Sequence, residues 1–278
     1  MRNVSSRVLL GIGTVVVAIL IASPAPGADI KITVTNDQPT GGFSLAPVWF
    51  GVQNGSFNVF SPGSSASSQI ATLAQFGNTA PLTSLFAGNG PETTLQSEGS
   101  LIQFLPGQSN STTLNVSNPT VDQYLSYAGM VVPSNDFFQG NATPLQIFNS
   151  NGSFVGPITI KVYGSNVWDS DTEQQSTSVA LTFIQGQTPG SGTQITNGKI
   201  TPFLTEQPNS AAFLQSIDGL TTVAGYQISH LFTANDLIDT ITISSVPEPR
   251  SVVLLGLGLA GMLVAGQTVR SRKAGRLK

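Results

Sequence analysis

Four Asn-Gly pairs, Asn54-Gly55, Asn89-Gly90, Asn151-Gly152 and Asn197-Gly198, punctuate the body of the chain, and the segments between them alternate apolar and polar residues. Both residues of an Asn-Gly pair accept the positive φ that a tight hairpin turn requires, so the pair between alternating segments is the strongest short-range hairpin signal. Ile30–Thr35, Thr113–Val116, Leu145–Phe148, Ile158–Tyr163 and Ile241–Ile243 each carry the period of two expected of a half-buried strand. The pattern predicts an all-β chain, with a hairpin at Asn151-Gly152 joining Leu145–Phe148 to Ile158–Tyr163.

One or two short helices interrupt this pattern. SSASSQIATLAQFGN offers a serine cluster as N-cap, sets Ile70, Leu73 and Ala74 on one face and meets Gly77 where a helix needs a left-handed residue. A second is expected over Ala80–Phe86. KITPF and TITIS are the expected closing strands, and GQTPGSGTQ, 186–194, reads as a loop.

Both ends read as targeting segments. Arg2 and Arg7, an apolar run from Val8 to Ile21 and then SPAPGA follow the order of a secretory signal peptide, with cleavage expected near Ala28. At the other end, Val252–Val269 is an uncharged apolar run followed by Arg270, Arg272, Lys273, Arg276 and Lys278, which predicts a transmembrane helix over 252–269 with its basic flank in the cytoplasm. The expected organisation is a leader over 1–28, one domain over 29–245 and a tail over 246–278. GLGLAG in the tail matches a dinucleotide-binding fingerprint, but no strand precedes it and no βαβ unit surrounds it, so small residues in a membrane helix explain it better.

Between Asp29 and Ser245 stand thirteen acids against Lys31, Lys161 and Lys199, a net charge of −10. Such a surface repels nucleic acid and anionic lipid and attracts cations. The chain has no cysteine, so this exported domain is held by its core rather than by disulfides.

VWDSDTEQQ, 167–175, places Asp169, Asp171 and Glu173 at every second position. In a loop they could converge on a hard cation, which wants six to eight oxygen ligands. On a strand the same spacing would only put them on one face. Spacing alone leaves a solvated acidic loop as the plainer reading, because the pattern lacks the length and central glycine of an EF-hand.

SYAGMVVPSNDFF (Ser126–Phe138), followed by strand, Asn-Gly turn, strand and VWDSDTE, resembles the spondin domain of extracellular matrix proteins. ITVTN, GGFSLAPVWFG, GSFNVFSPG and FGNTAPL are similar, in the same order, to the bacterial branch of that family. The resemblance spans Ile30 to about Phe183. It implies an antiparallel β-sandwich akin to calcium-dependent lipid-binding sandwiches, with a calcium site built from P-S-x-D-W/F and W-D-x-x-x-D/E. PSNDFF then supplies Asp136, and WDSDTE supplies Asp169 and Glu173. Asp171 stands where the family shows a small residue, and Glu173 where animal members show aspartate. Calcium in such a site ties loops together rather than driving chemistry.

The tail resembles a PEP-CTERM sorting signal. Val246 precedes Pro247, Glu248 and Pro249, and the apolar run and basic end follow. That resemblance implies a Gram-negative, exopolysaccharide-making cell, recognition by an exosortase-type sorting protease and release to the cell surface or medium. Until then the C-terminal helix would hold the protein in the membrane; a permanent single-span anchor is the alternative. The prolines keep the motif extended and readable.

The expected function is therefore a non-enzymatic, calcium-binding module adhering to exopolysaccharide or a matrix protein. The rival is a secreted glycoside hydrolase using Asp136 and Asp169, whose type needs two carboxyl groups about 5 to 9.5 Å apart. The body has only Trp49 and Trp168 as tryptophans, and it lacks G-x-S-x-G and H-E-x-x-H. His230, the single histidine, alternates with apolar neighbours and reads as an ordinary half-buried residue.

Overall fold

A computed structural model describes residues 27–206 and 209–247. Most of the leader, Glu248 and Pro249 of the sorting motif, and the apolar run 252–269 lie outside them. Among the described residues no helix is long and apolar enough to cross a membrane.

The architecture is an antiparallel β-sandwich. β1 (Ala28–Asn36), β4 (Ser109–Val116), β8 (Ile158–Tyr163) and β11 (Leu237–Ser245) form one sheet in the order β4-β1-β11-β8. The second sheet runs β10 (Thr201–Pro202), β9 (Trp168–Asp169), β6 (Phe137–Gly140), β5 (Tyr124–Val132), β2 (Ser44–Gln53), β3 (Glu92–Leu95), with β7 (Leu145–Gln146) also on β5. β1 lies against β11 from Ile30 opposite Ser245 to Asn36 opposite Asp239, so the two ends of the described chain leave side by side.

Strand composition follows burial. In β1, Ile30, Ile32 and Val34 point inward, and Lys31 is exposed. They meet Phe50, Leu125, Val131 and Phe137 of the facing sheet in one continuous core. Each fully buried Phe or Ile side chain there contributes about 1.5–3 kcal/mol by leaving water. β2, SLAPVWFGVQ, is buried at every position because its outer face is covered too. There Trp49 packs with Ile70 and Leu73 of α1 (Ser68–Phe76) and with Leu82 and Phe86 of α2 (Ala80–Phe86). A strand covered on both faces carries an apolar run instead of an alternation.

Both expected helices form. The Ser67 hydroxyl accepts from Ile70 N at 3.2 Å, and Gly77, at φ 64°, closes α1 by donating to Leu73 O. Two further short helices, α3 (Phe203–Glu206) and α4 (Ser210–Ile217), precede β11.

The expected hairpin at Asn151-Gly152 is corrected. The turn itself closes, with Asn149 N donating to Ser153 O and Phe148 bridged to Phe154. The flanking strands then part: β7 pairs with β5, and β8 pairs with β11 of the other sheet. The connection crosses the sandwich, since each strand finds a longer apolar partner elsewhere.

Candidate metal centre

β5 ends at Val132, a cis peptide leads into Pro133, and Ser134-Asn135-Asp136 turns the chain into β6. Ser134 pins this turn: its hydroxyl donates to Val131 O at 2.7 Å and accepts from Phe137 N at 3.0 Å. β6 pairs with β9, placing Phe137 opposite Asp169 and Phe138 opposite Trp168. That register lays the loop 170–173 over Asp136, and Ser170 N donates to Asp136 O at 3.2 Å.

The Asp136 carboxylate is used unevenly. Oδ2 faces the Ser170 hydroxyl at 3.0 Å, Thr172 N at 2.7 Å, the Thr172 hydroxyl at 2.9 Å and Glu173 N at 3.0 Å. Oδ1 is buried without a partner. Asp169 accepts from Asp171 N at 2.7 Å and from Gln175 Nε2 at 2.7 Å, one bond on each oxygen. Glu173 accepts from Gly192 N through Oε1, and its Oε2 is buried without a partner.

The solvated-loop reading fails for these three residues, because Asp136, Asp169 and Glu173 are 0%, 1% and 1% exposed. Asp171 is half-buried and differs in role: in left-handed backbone at φ 50°, it caps Lys199 N at 3.0 Å through Oδ2. The GQTPGSGTQ loop covers Glu173, with Gln174 N donating to Thr193 O and Ile195 N to Thr172 O. A Cβ at Gly192 would strike the Glu173 carboxylate, so a side chain there would push Glu173 or the loop aside.

Burial raises all three carboxyl groups above the ordinary carboxylate range. For Asp136 the loss of water outweighs its hydrogen bonds from Glu173, Thr172 and Ser170. Asp169 goes well above, by burial first and then by the Asp136 charge, and Glu173 goes up by burial and the same neighbour. The groups that face them are hydroxyls, amides and backbone N–H, none of them basic. Buried carboxylates without a countercharge are costly unless protonated or bound to a cation.

Among the described residues no three His, Cys, Asp or Glu side chains already converge as a metal cage. The negative charge of Asp136 acts on both Asp169 and Glu173. By chemistry, though not by placement, the donor set suits a hard divalent cation. It is all oxygen, with Asp136 Oδ1, Glu173 Oε2 and Gln175 Oε1 buried and unpaired, and amide or backbone oxygens would complete the shell.

A cleft of about 610 Å³ opens beside these groups, lined by Asp169, Asp171, Glu173, Gln175, Phe203 and Phe213 among others. Asp136 does not line it. His230 is half-buried and stands apart, its backbone N–H donating to Gly41 O. Pro247 is exposed just past β11, after Val246 N donates to Asp29 O at 2.8 Å.

Sequence reasoning missed Ser170, Thr172, Gln175 and Gly192 as parts of the site. The hydroxyls at 170 and 172 were visible between the acids, but nothing local ties Gly192 to Glu173. No model of a known protein family matches the chain, and no curated protein matches it in sequence.

Proposed function

We propose that the chain is an exported, non-enzymatic β-sandwich of the spondin type, in which calcium held by Asp136, Asp169 and Glu173 stiffens the loops over β6 and β9. Its role in this reading is adhesion to exopolysaccharide or a matrix protein at the cell surface. One observation carries the metal part: two unpaired carboxylate oxygens, Asp136 Oδ1 and Glu173 Oε2, lie buried in a group of acids that no basic side chain faces among the described residues. A divalent cation would turn their mutual repulsion into a tie between the 133–136 turn and the 170–173 loop.

Export rests on the leader, and sorting on the Pro-Glu-Pro motif, of which Pro247 emerges exposed from the end of β11. Adhesion rests on the resemblance to spondin domains, a fold-level argument that names no ligand. The hydrolase reading draws less support, because Asp136 and Asp169 do not share the open cleft where a glycosidic bond would have to lie.

Calorimetric titration of the purified full-length chain with calcium, beside an Asp169→Asn variant, tests the reading. Binding and a rise in Tm that the variant loses support it. No heat and no rise in Tm would remove calcium from the proposal.

A further inference from the structure

A second buried acid lies apart from the first three. Asp239, on β11, has the same parity as Ile241 and Ile243, so its side chain points between the sheets and is 0% exposed. Gln139, on β6, shares its face with Phe137 and is likewise 0% exposed. The two meet across the sandwich, Gln139 Nε2 donating to Asp239 Oδ2 at 3.0 Å. A register shift in the pairing of β8 with β11 lies beside Asp239, between Leu237 and Asp239.

What remains of the pair is an acceptor on each side. Asp239 Oδ1 and Gln139 Oε1 are both buried and both without a hydrogen-bond partner. An unpaired buried acceptor costs about 1–3 kcal/mol, and an ionised carboxylate more. One proton removes both deficits. Bound at Oδ1 it makes that oxygen a donor, and the natural acceptor is the free Oε1 of the same glutamine.

We propose that Asp239 and Gln139 form a buried proton site, a carboxylic acid paired with a carboxamide through two antiparallel hydrogen bonds, that latches the two sheets together. The charges that face Asp239 favour the proton. Asp37, just beyond β1, adds negative charge, and Tyr127 of β5 presents a neutral phenol whose own ionisation Asp239 opposes. Burial is the larger cause, and together they push the Asp239 carboxyl up to about 8. Deprotonation would leave a charge in the core with one donor.

The sign follows. The folded protein holds this proton at pH values where the unfolded chain has lost it, so stability falls as pH rises from the ordinary carboxyl range to about 8 and levels off above. The test compares unfolding of the purified full-length chain with that of Asp239→Asn, in chelator, from about pH 5 to about pH 9. Asparagine keeps both hydrogen bonds without needing a proton, so the other carboxyls cancel in the ratio of the two folding constants. That ratio should fall about tenfold per pH unit up to about pH 8, where Asp239 itself ionises. A flat ratio overturns the proposal.

A second variant, Gln139→Glu, keeps the test decisive if Asp239→Asn does not fold. Two acids share the site there, so the variant should lose stability more steeply with rising pH than the native chain. An equal slope overturns the proposal as surely.

Discussion

Thr172 gives both its backbone N–H, at 2.7 Å, and its hydroxyl, at 2.9 Å, to one oxygen of Asp136, Oδ2, across two separate loops. The second oxygen of that carboxylate receives nothing. Thr172→Val deletes one of these donors and keeps the shape. The expected outcome is a loss of about 1–2 kcal/mol in denaturant unfolding, with weaker calcium binding by calorimetry. An unchanged midpoint would mean that Ser170 alone supplies the hydroxyl proton.

Gly192→Ala drives a methyl group into the Glu173 carboxylate. The loop must move or Glu173 must turn away, at a cost of about 1–3 kcal/mol. Because the loop covers Glu173, calcium affinity should fall together with stability. A variant that loses stability but binds calcium normally would take Glu173 out of the ligand set.

The acids predict opposite pH responses with and without metal. All three are raised by burial, so in chelator the folded state holds protons that the unfolded chain has lost, and stability should rise as pH falls from neutral towards the ordinary carboxylate range. With saturating calcium the same groups must be ionised to bind, so the gain from calcium should shrink over that interval. Tm measured along both pH series checks this, and parallel curves would sink it.

Gly77→Ala tests the helix that buries Trp49. Gly77 is left-handed at φ 64°, and a Cβ there would stand 2.6 Å from the Ala46 Cβ. Left-handed backbone costs a residue with a side chain about 1–2 kcal/mol, and the contact adds to it. The loss should appear in thermal unfolding, and any weakening of the calcium response with it would run through Gln75 of α1, which donates to the Thr172 hydroxyl at 3.0 Å.

Much of this architecture was legible because its determinants are local. Ile158–Tyr163 and Ala80–Phe86 form as expected, and Ser67 and Gly77 cap α1. The Asn151 hairpin was misread because a turn signal reports where the chain reverses, not which strand each arm will join. The helix α4 carried a readable face in Phe213, Leu214 and Ile217, overlooked beside stronger strand signals. Asp169 and Glu173 stand out by their spacing and Asp136 only through a resemblance to a motif; their burial follows from strand pairing that no short window contains. The Asp239–Gln139 contact spans 100 residues, yet parity was a clue, since Asp239 falls in step with Ile241 and Ile243.

Ile30 stands opposite Ser245, so β11 delivers the chain to its tail at the end of the sheet where β1 begins. If that tail is the tether, a pull on it travels along β11, which is flanked by β1 and β8 on its two sides. A load resisted at the far end of the sandwich would strain both ladders of hydrogen bonds at once, in shear. A load resisted at Asp29 would instead open the β1 ladder one rung at a time. The mechanical strength of the molecule therefore depends on which end of the sandwich is held.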